Sequence, residues 1–354
     1  MIRVIKTQVE FDTLQQRWDE LFVSSSSATP YQSFKFNKLS WIHWRNSNDI
    51  LYIICYHKQE ENPCDAIIPC YLHNDSELRL IDFMSDFCDI IVSDELSDCY
   101  DMYYEIFQEI IKDKDVKYIS FSNLRYDSRL FAYFSAFGKA KEIQYITGYT
   151  IMNMTPSPSD RDFIASIPNI NSCHRKNLRK YNKKSQEFDF SYMTSSDSSF
   201  PEKEIHELAD YMIRAGMRKK EYFNESFFYG LRALYNEGIV KIAMNKKQGK
   251  VQSCLFLLNK SASDDMITWI ILYKHKDDNI MLNMPILKMM YEQGILSFNQ
   301  ARGLYTYKLQ NYHPKVFNLY KMNIYRSKKD MNVVTIKIMM HRIKRYAQRK
   351  IHCI

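Results

Sequence analysis

Glycine is scarce in this chain, with 8 residues in 354, about a third of the usual share of ~7%. No two of them stand two apart, so neither a GxGxxG fingerprint nor a GxxxxGK(S/T) phosphate loop is present. Ordinary dinucleotide-binding and P-loop readings are excluded. Long apolar runs are also missing. The longest, around Ile267 to Tyr273 and interrupted by Thr268, falls far short of the ~18 residues that a membrane helix needs. The start, MIRVIKTQVEF, lacks the apolar stretch of a secretory signal, and the expectation is a cytoplasmic protein. The 8 cysteines are scattered and contain no CxxC, which reads as reduced core thiols. No His/Cys/Asp cluster has metal-ligand spacing and no Ser-His-Asp order stands out, so no metal is expected.

What is there is a packed globular composition: 45% hydrophobic, 25% charged, with 21 Phe, 26 Tyr and 4 Trp. At roughly 150 residues per domain the length predicts two domains. The formal charge is +8, yet the segment from Arg326 to Ile354 holds nine Lys or Arg against one Asp, so the rest of the chain is neutral. A neutral body with a basic tail points to local attraction toward an anionic surface.

The periodicity predicts the same element order twice. In the first half a strand at Ile2 to Lys6 precedes a helix from Phe11 to Val23 and a second one carrying Phe36, Leu39, Trp41 and Trp44. Three strands follow at Ile50 to Tyr56, Ala66 to Leu72 and Leu78 to Phe83, then a helix near Leu96 to Ile111, a strand from Tyr118, a helix from Ser128 and a strand at Ile146 to Met154. Thr155, Pro156, Ser157 and Pro158 read as a linker. The second half predicts a strand at Phe188 to Met193, helices near Glu202 to Arg218 and Glu225 to Asn236, and three strands at Ile239 to Met244, Val251 to Leu258 and Met266 to Tyr273. A helix from about Met284 to Gln293, a strand from Ile295, a helix from Tyr305 and a strand around Val316 to Tyr325 complete it. The expected organisation is thus residues 1–155, residues 156–328 and a basic, helical tail over 329–354.

This order, an antiparallel meander feeding a helix and a parallel strand, resembles the GNAT acyltransferase fold, and its doubling resembles the tandem-GNAT families. Trp18 with Leu21, TPYQS from Thr29, Trp41 with Trp44, AIIPCYL from Ala66, LRLI from Leu78 and SDFCDIIV from Ser85 look like the first half of the CelD-like acetyltransferase family. In the second half SCHRKNLRKYNKKSQE from Ser172 resembles that family's basic helix, and YTYKLQNY from Tyr305 its Tyr-Lys near the end. The resemblance covers about residues 5–325. It implies an α/β fold of mixed sheets in two tandem GNAT-like acyltransferase domains, each sheet opening into a V.

The resemblance also implies chemistry: transfer of an acyl group, acetyl above all, from acetyl-CoA or another acyl-CoA to an amine or hydroxyl of a sugar or envelope polysaccharide precursor, small or lipid-linked. The strand ending at Tyr273 would offer its edge to the pantetheine arm. A helix starting near Asn283, with Pro285 behind it, would point free N–H groups at the pyrophosphate, with Lys274 and Asn279 beside it. Tyr307 matches the family's tyrosine, placed to donate a proton, and Lys308 would hold the acceptor or the oxyanion. His275 is the nearest imidazole and a candidate base. Asp86 and Asp89 would bind sugar hydroxyls or an ammonium, or cap a turn. Arg175, Arg179 and Lys183 form a basic stripe that meets an anionic acceptor or is simply solvated. Val334, Ile338 and the cations between Lys337 and Lys350 read as a basic amphipathic helix docking on the inner membrane face, or as a solubilising tail.

The loop KHKDDNIMLNMP after Tyr273 has no glycine where such transferases carry their cofactor turn, and Asn299 and Gln300 stand where the family often has an acid. Two alternatives therefore stay open. One is a transferase nearer the Fem-type peptidyltransferases, which share the tandem fold and draw on aminoacyl-tRNA. The other is a degenerate pair that only binds a partner or membrane.

Overall fold

The computed structural model describes residues 1–59, 63–74, 76–136, 140–155, 163–261, 265–336 and 339–340, and they form a mixed α/β architecture. Contacts divide the chain into two compact units. One holds Met1–Ala28, Asn46–Ile146 and the described residues from Leu319; the other holds Thr29–Arg45 and Thr147–Asn318. This clustering differs from a division after residue 155 by moving Thr29–Arg45 and residues 147–155 into the second unit and the residues from Leu319 into the first; packing explains the first of these moves and strand pairing the last. The helix Phe34–Trp44 lies against Glu225–Asn236, with Trp44 Nε1 donating to Ser226 O at 2.9 Å. Gly230 permits the approach, since a Cβ there would come within 2.4 Å of the Trp44 ring. Tyr31, Phe36 and Trp44 also surround Trp269, with ring centroids 6.4, 5.6 and 6.1 Å away. The last follows from pairing: Leu319 to Tyr325 run antiparallel to Tyr118–Arg125 in the first unit.

In the first unit, Ile2–Ile5, Ile53–Tyr56, Ala66–Ile68 and Ile91–Val92 form an antiparallel sheet. Ile50–Leu51, Cys70–His73 and Glu77–Leu80 pair antiparallel in that order, and Glu77–Leu80 runs parallel to Tyr118–Arg125. The two long strands expected from Ile50 and Ala66 each break in two, because Tyr52 N bonds to Cys70 O and Pro69 has no N–H to give a ladder. Each half then joins a different sheet. The helix Tyr100–Lys112 buries Met102, Tyr103, Ile106, Phe107 and Ile110, a three-four spacing that lays one apolar stripe on the core.

In the second unit, Asp189–Met193, Val240–Lys247, Lys250–Leu258 and Met266–Tyr273 form the expected antiparallel meander. Met266–Tyr273 then runs parallel to Ser297–Arg302, but only at Met266 with Phe298 and Ile267 with Asn299. The first unit has the same device, registered only at Glu77 with Tyr118 and Leu78 with Ile119. Each unit thus carries a parallel pair that parts after two residues.

One helix boundary is corrected. The helix expected from about Met284 begins at Lys276 and runs to Glu292, with Pro285 inside it. Asn283 is therefore not at a helix start. Proline misled because it is commonest in a first turn, whereas the start is set by Asp278, whose Oδ2 accepts from His275 N at 2.8 Å.

In the tail, residues 328–336 are helical behind Ser327, whose Oγ accepts from Asp330 N at 3.1 Å. Of the Lys337 to Lys350 stretch only 339–340 are described; the rest of it, Cys353 and Pro156 to Pro158 lie outside the described residues. No helix among the described residues is long and apolar enough to cross a membrane. The described cysteines are free thiols, and Cys55, Cys64, Cys70, Cys88 and Cys254 are buried.

Candidate functional site

The site grows from the point in the second unit where the sheet opens. Ser297–Arg302 turns away at Ala301, which has φ +53°, and its backbone is satisfied by side chains. Asn299 Oδ1 accepts from Ala301 N at 2.9 Å, and Lys308 Nζ donates to the carbonyls of Gln300, Ala301 and Arg302. Gln300 Oε1 accepts from Thr150 Oγ1 at 3.0 Å. With those groups taken, Met266–Tyr273 has no ladder partner on that edge beyond Ile267 among the described residues. The other edge is bulged: Leu257 faces Thr268 while Leu255 faces Ile271, which places an extra residue at Trp269–Ile270 and re-aims its backbone.

A row of phenols and amides lies beside this opening. Burial, with Tyr305 and Tyr273 nearby, pushes the Tyr307 phenol up to about 12, while the neighbouring Asn279 side chain works the other way. Asn279 Oδ1 in turn accepts from Asn283 Nδ2 at 3.5 Å, and the same Nδ2 donates to Tyr312 Oη at 3.3 Å. Asn279 and Asn283 are one helical turn apart on Lys276–Glu292, and Tyr307 and Tyr312 sit on Thr306–Tyr312. The structure therefore brings together Tyr307, Asn279 and Asn283, with Tyr273 close by. Tyr312 is the member that sequence reasoning missed, although it closes the YTYKLQNY run.

The start of Lys276–Glu292 is acidic and closed. Asp277 and Asp278 occupy its first turn, and Asp278 is buried with Oδ2 on the His275 N–H. His275 is exposed, its ring edge-on to Tyr211 at 6.2 Å. Lys274 is held by Glu207, with Nζ 2.8 Å from Oε1. Neither points at Tyr307 by any of these contacts.

Cations flank that helix start on two sides. The helix Ser172–Ser185, capped by Asn171 Oδ1 on His174 N at 2.9 Å, carries Arg175, Lys176, Arg179, Lys180, Lys183 and Lys184 and no acid. It is tied to the site by Tyr181, whose hydroxyl donates to Asp277 Oδ1 at 3.4 Å. On the other side Glu202–Arg214, which supplies Glu207 and Tyr211, ends in Arg214 and leads to Arg218, Lys219 and Lys220. An open cleft lies over Gly216, Met217, Arg218, Lys219 and Tyr222.

Asp86 and Asp89 belong to the first unit. Asp89 is buried and accepts from the backbone N–H groups of Ile90, Arg129 and Leu130 at 2.9, 3.0 and 3.1 Å. It caps the helix Arg129–Phe134, so its oxygens are engaged by the fold. Asp86 is half-buried in the same turn. Among the described residues no group of three His, Cys, Asp or Glu side chains is placed to hold a metal ion.

No protein-family model matches the sequence, and no curated protein matches it. Solved structures do. The C-terminal domain of a putative lysylphosphatidylglycerol synthetase from Agrobacterium fabrum superposes with a TM-score of 0.58 at 12% identity, covering 93% of this chain and 97% of that one. FemX gives 0.55 at 11%, covering 88% and 96%. A tandem GNAT protein from the clavulanic acid biosynthesis pathway gives 0.51 at 8%, covering 91% and 98%. At these identities the likeness is one of fold: the chain has a tandem GNAT-like fold of mixed α/β sheets, while no family model supports the CelD-like part of the resemblance.

Proposed function

We propose that this protein is a transferase that moves an aminoacyl group from tRNA to an amine or hydroxyl acceptor. The observation that carries the reading is the closed, acidic start of Lys276–Glu292. A CoA pyrophosphate needs free N–H groups and a positive dipole end there, and Asp277 and Asp278 supply carboxyls while Asp278 takes the His275 N–H. The cations stand instead on the two flanks, spread over Ser172–Ser185 and Arg214 to Lys220. That spread suits an extended polyanion better than one compact diphosphate. The fold neighbours support it: one is named for making an aminoacylated lipid, and another is FemX.

The chemistry follows from Tyr307. An acceptor amine attacks the ester carbonyl held along the free edge of Met266–Tyr273, and a backbone N–H of the Trp269–Ile270 bulge faces the oxyanion. Collapse breaks the bond to the ribose oxygen, which takes the Tyr307 proton; the phenol is then re-protonated by the proton the amine releases. Burial keeps the Tyr307 proton in place at neutral pH, so it is there to be given.

One observation favours the acyl-CoA reading, with a sugar or lipid-linked sugar as acceptor: the unpaired edge beyond Ile267 is what a pantetheine arm pairs with. Binding separates the two. The tRNA reading expects salt-dependent binding. Its slope should fall by roughly 0.7 to 0.9 for each phosphate that is no longer neutralised once Lys176, Lys180, Lys183 and Lys184 become Gln. Tight binding of CoA thioesters with none of tRNA reverses the choice.

A further inference from the structure

Tyr305 presents an exposed ring beside the proton donor. The residue is 52% exposed, and its ring lies 6.0 Å from that of Tyr307 and within 11° of parallel to it. The fold holds this ring in place. Gly303, at φ +103°, presses so close that a Cβ there would come within 2.5 Å of it. Lys308, buried and bound to the carbonyls of Gln300, Ala301 and Arg302, sets its Nζ 5.2 Å from the Tyr305 ring centroid, within cation–π reach. An aromatic side chain that packing fixes yet leaves half open is a ready stacking surface for a nucleobase.

The position of the ring says which base it meets. In an aminoacyl-tRNA the terminal adenine and the reacting ester share one ribose, so the base lies within a nucleotide's width of the oxygen that takes the Tyr307 proton. In a CoA thioester the whole pantetheine arm and a diphosphate separate the adenine from the reacting carbonyl. Of the two donors, only the first brings a base to a ring that neighbours Tyr307. We infer that Tyr305 stacks the terminal adenine of the donor tRNA and so sets the leaving ribose oxygen against Tyr307. This inference rests on the aminoacyl-tRNA reading and deepens it by naming the group recognised and the residue that recognises it.

The test uses the full chain and two donors charged with the same amino acid, one a tRNA ending in adenosine and the other a tRNA whose terminal ribose carries no base. Wild-type protein is expected to prefer the adenosine donor by about 5- to 150-fold in kcat/KM, the range that one stacked base gives. Tyr305→Ala should erase that preference, mostly through a higher KM for the adenosine donor, and should match wild type on the abasic one. Tyr305→Phe keeps the ring and should retain the preference. If the Ala variant does not fold by circular dichroism, Tyr305→Leu provides the same comparison. Equal losses on both donors, or none on either, overturn the role of Tyr305 while leaving the donor reading intact. Absence of transfer from every charged tRNA overturns both.

Discussion

Lys308 and Ala301 are joined by a charge and a carbonyl: Lys308 Nζ stands 3.3 Å from Ala301 O, with Arg302 O equally near and Gln300 O on the same ammonium. A buried lysine here answers the backbone that the sheet abandons where it opens. Lys308→Met should therefore cost about 2–4 kcal/mol of stability, since it strands carbonyls in the interior. Urea unfolding measures it. A variant of full stability but no activity would move the ammonium's role from the fold to the substrate.

Tyr307 and Asn279 make a second pair with separable roles. Tyr307→Phe should lower kcat by about 10²-fold or more while leaving donor affinity unchanged, as expected when a proton donor is removed. Asn279→Leu should also lower kcat, by less, because the phenol stays but is no longer aimed. A matching rise in KM for Tyr307→Phe would mark the phenol as a binding group instead.

Burial raises the Tyr71, Tyr103 and Tyr312 phenols as well as Tyr307. A phenol whose folded pKa lies above its unfolded value of about 10 stabilises the fold fully below that pH. The contribution is lost as pH rises from about 10 toward the folded value, which for Tyr307 is about 12. Each such phenol removes up to about 1.4 kcal/mol per pH unit in that window. Denaturant midpoints should fall steeply between about pH 10 and about pH 12, with phenolate absorbance from these groups appearing only on unfolding. A flat profile would show that these phenols ionise in the native state.

Gly230 and Trp44 meet at one point, where a Cβ would come within 2.4 Å of the indole. Gly230→Ala should cost about 1–3 kcal/mol through overpacking, and Trp44→Ala should abolish that increment in a double-mutant cycle. Simple additivity would mean the two helices are not packed as described.

Much of the fold was legible because its signals are local. Met266–Tyr273 appears where its apolar, β-branched run predicted it, and Ser172–Ser185 where the four-residue basic spacing did. What the sequence hid is tertiary. Phe34–Trp44 reads as part of the first half, and only its aromatic packing on Trp269 and its hydrogen bond to Ser226 assign it to the second unit. Pro285 reads as a helix start because a mid-helix proline is costly, and Asp278 sets the start instead. Asp89 and Lys308 carry charge that suits a ligand, yet backbone groups of the fold claim both. Tyr307, Asn279 and Asn283 were all nameable from the sequence; that they form one row with Tyr312 required the packing of two helices.

The most direct test of the account offers the purified protein labelled aminoacyl-tRNA and labelled acetyl-CoA in parallel, with amine and hydroxyl acceptors including phospholipid and sugar headgroups. Label leaving the tRNA for an acceptor, abolished by Tyr307→Phe and suppressed by salt, is the predicted result. Transfer from acetyl-CoA alone, at a rate indifferent to the cations of Ser172–Ser185, would contradict it.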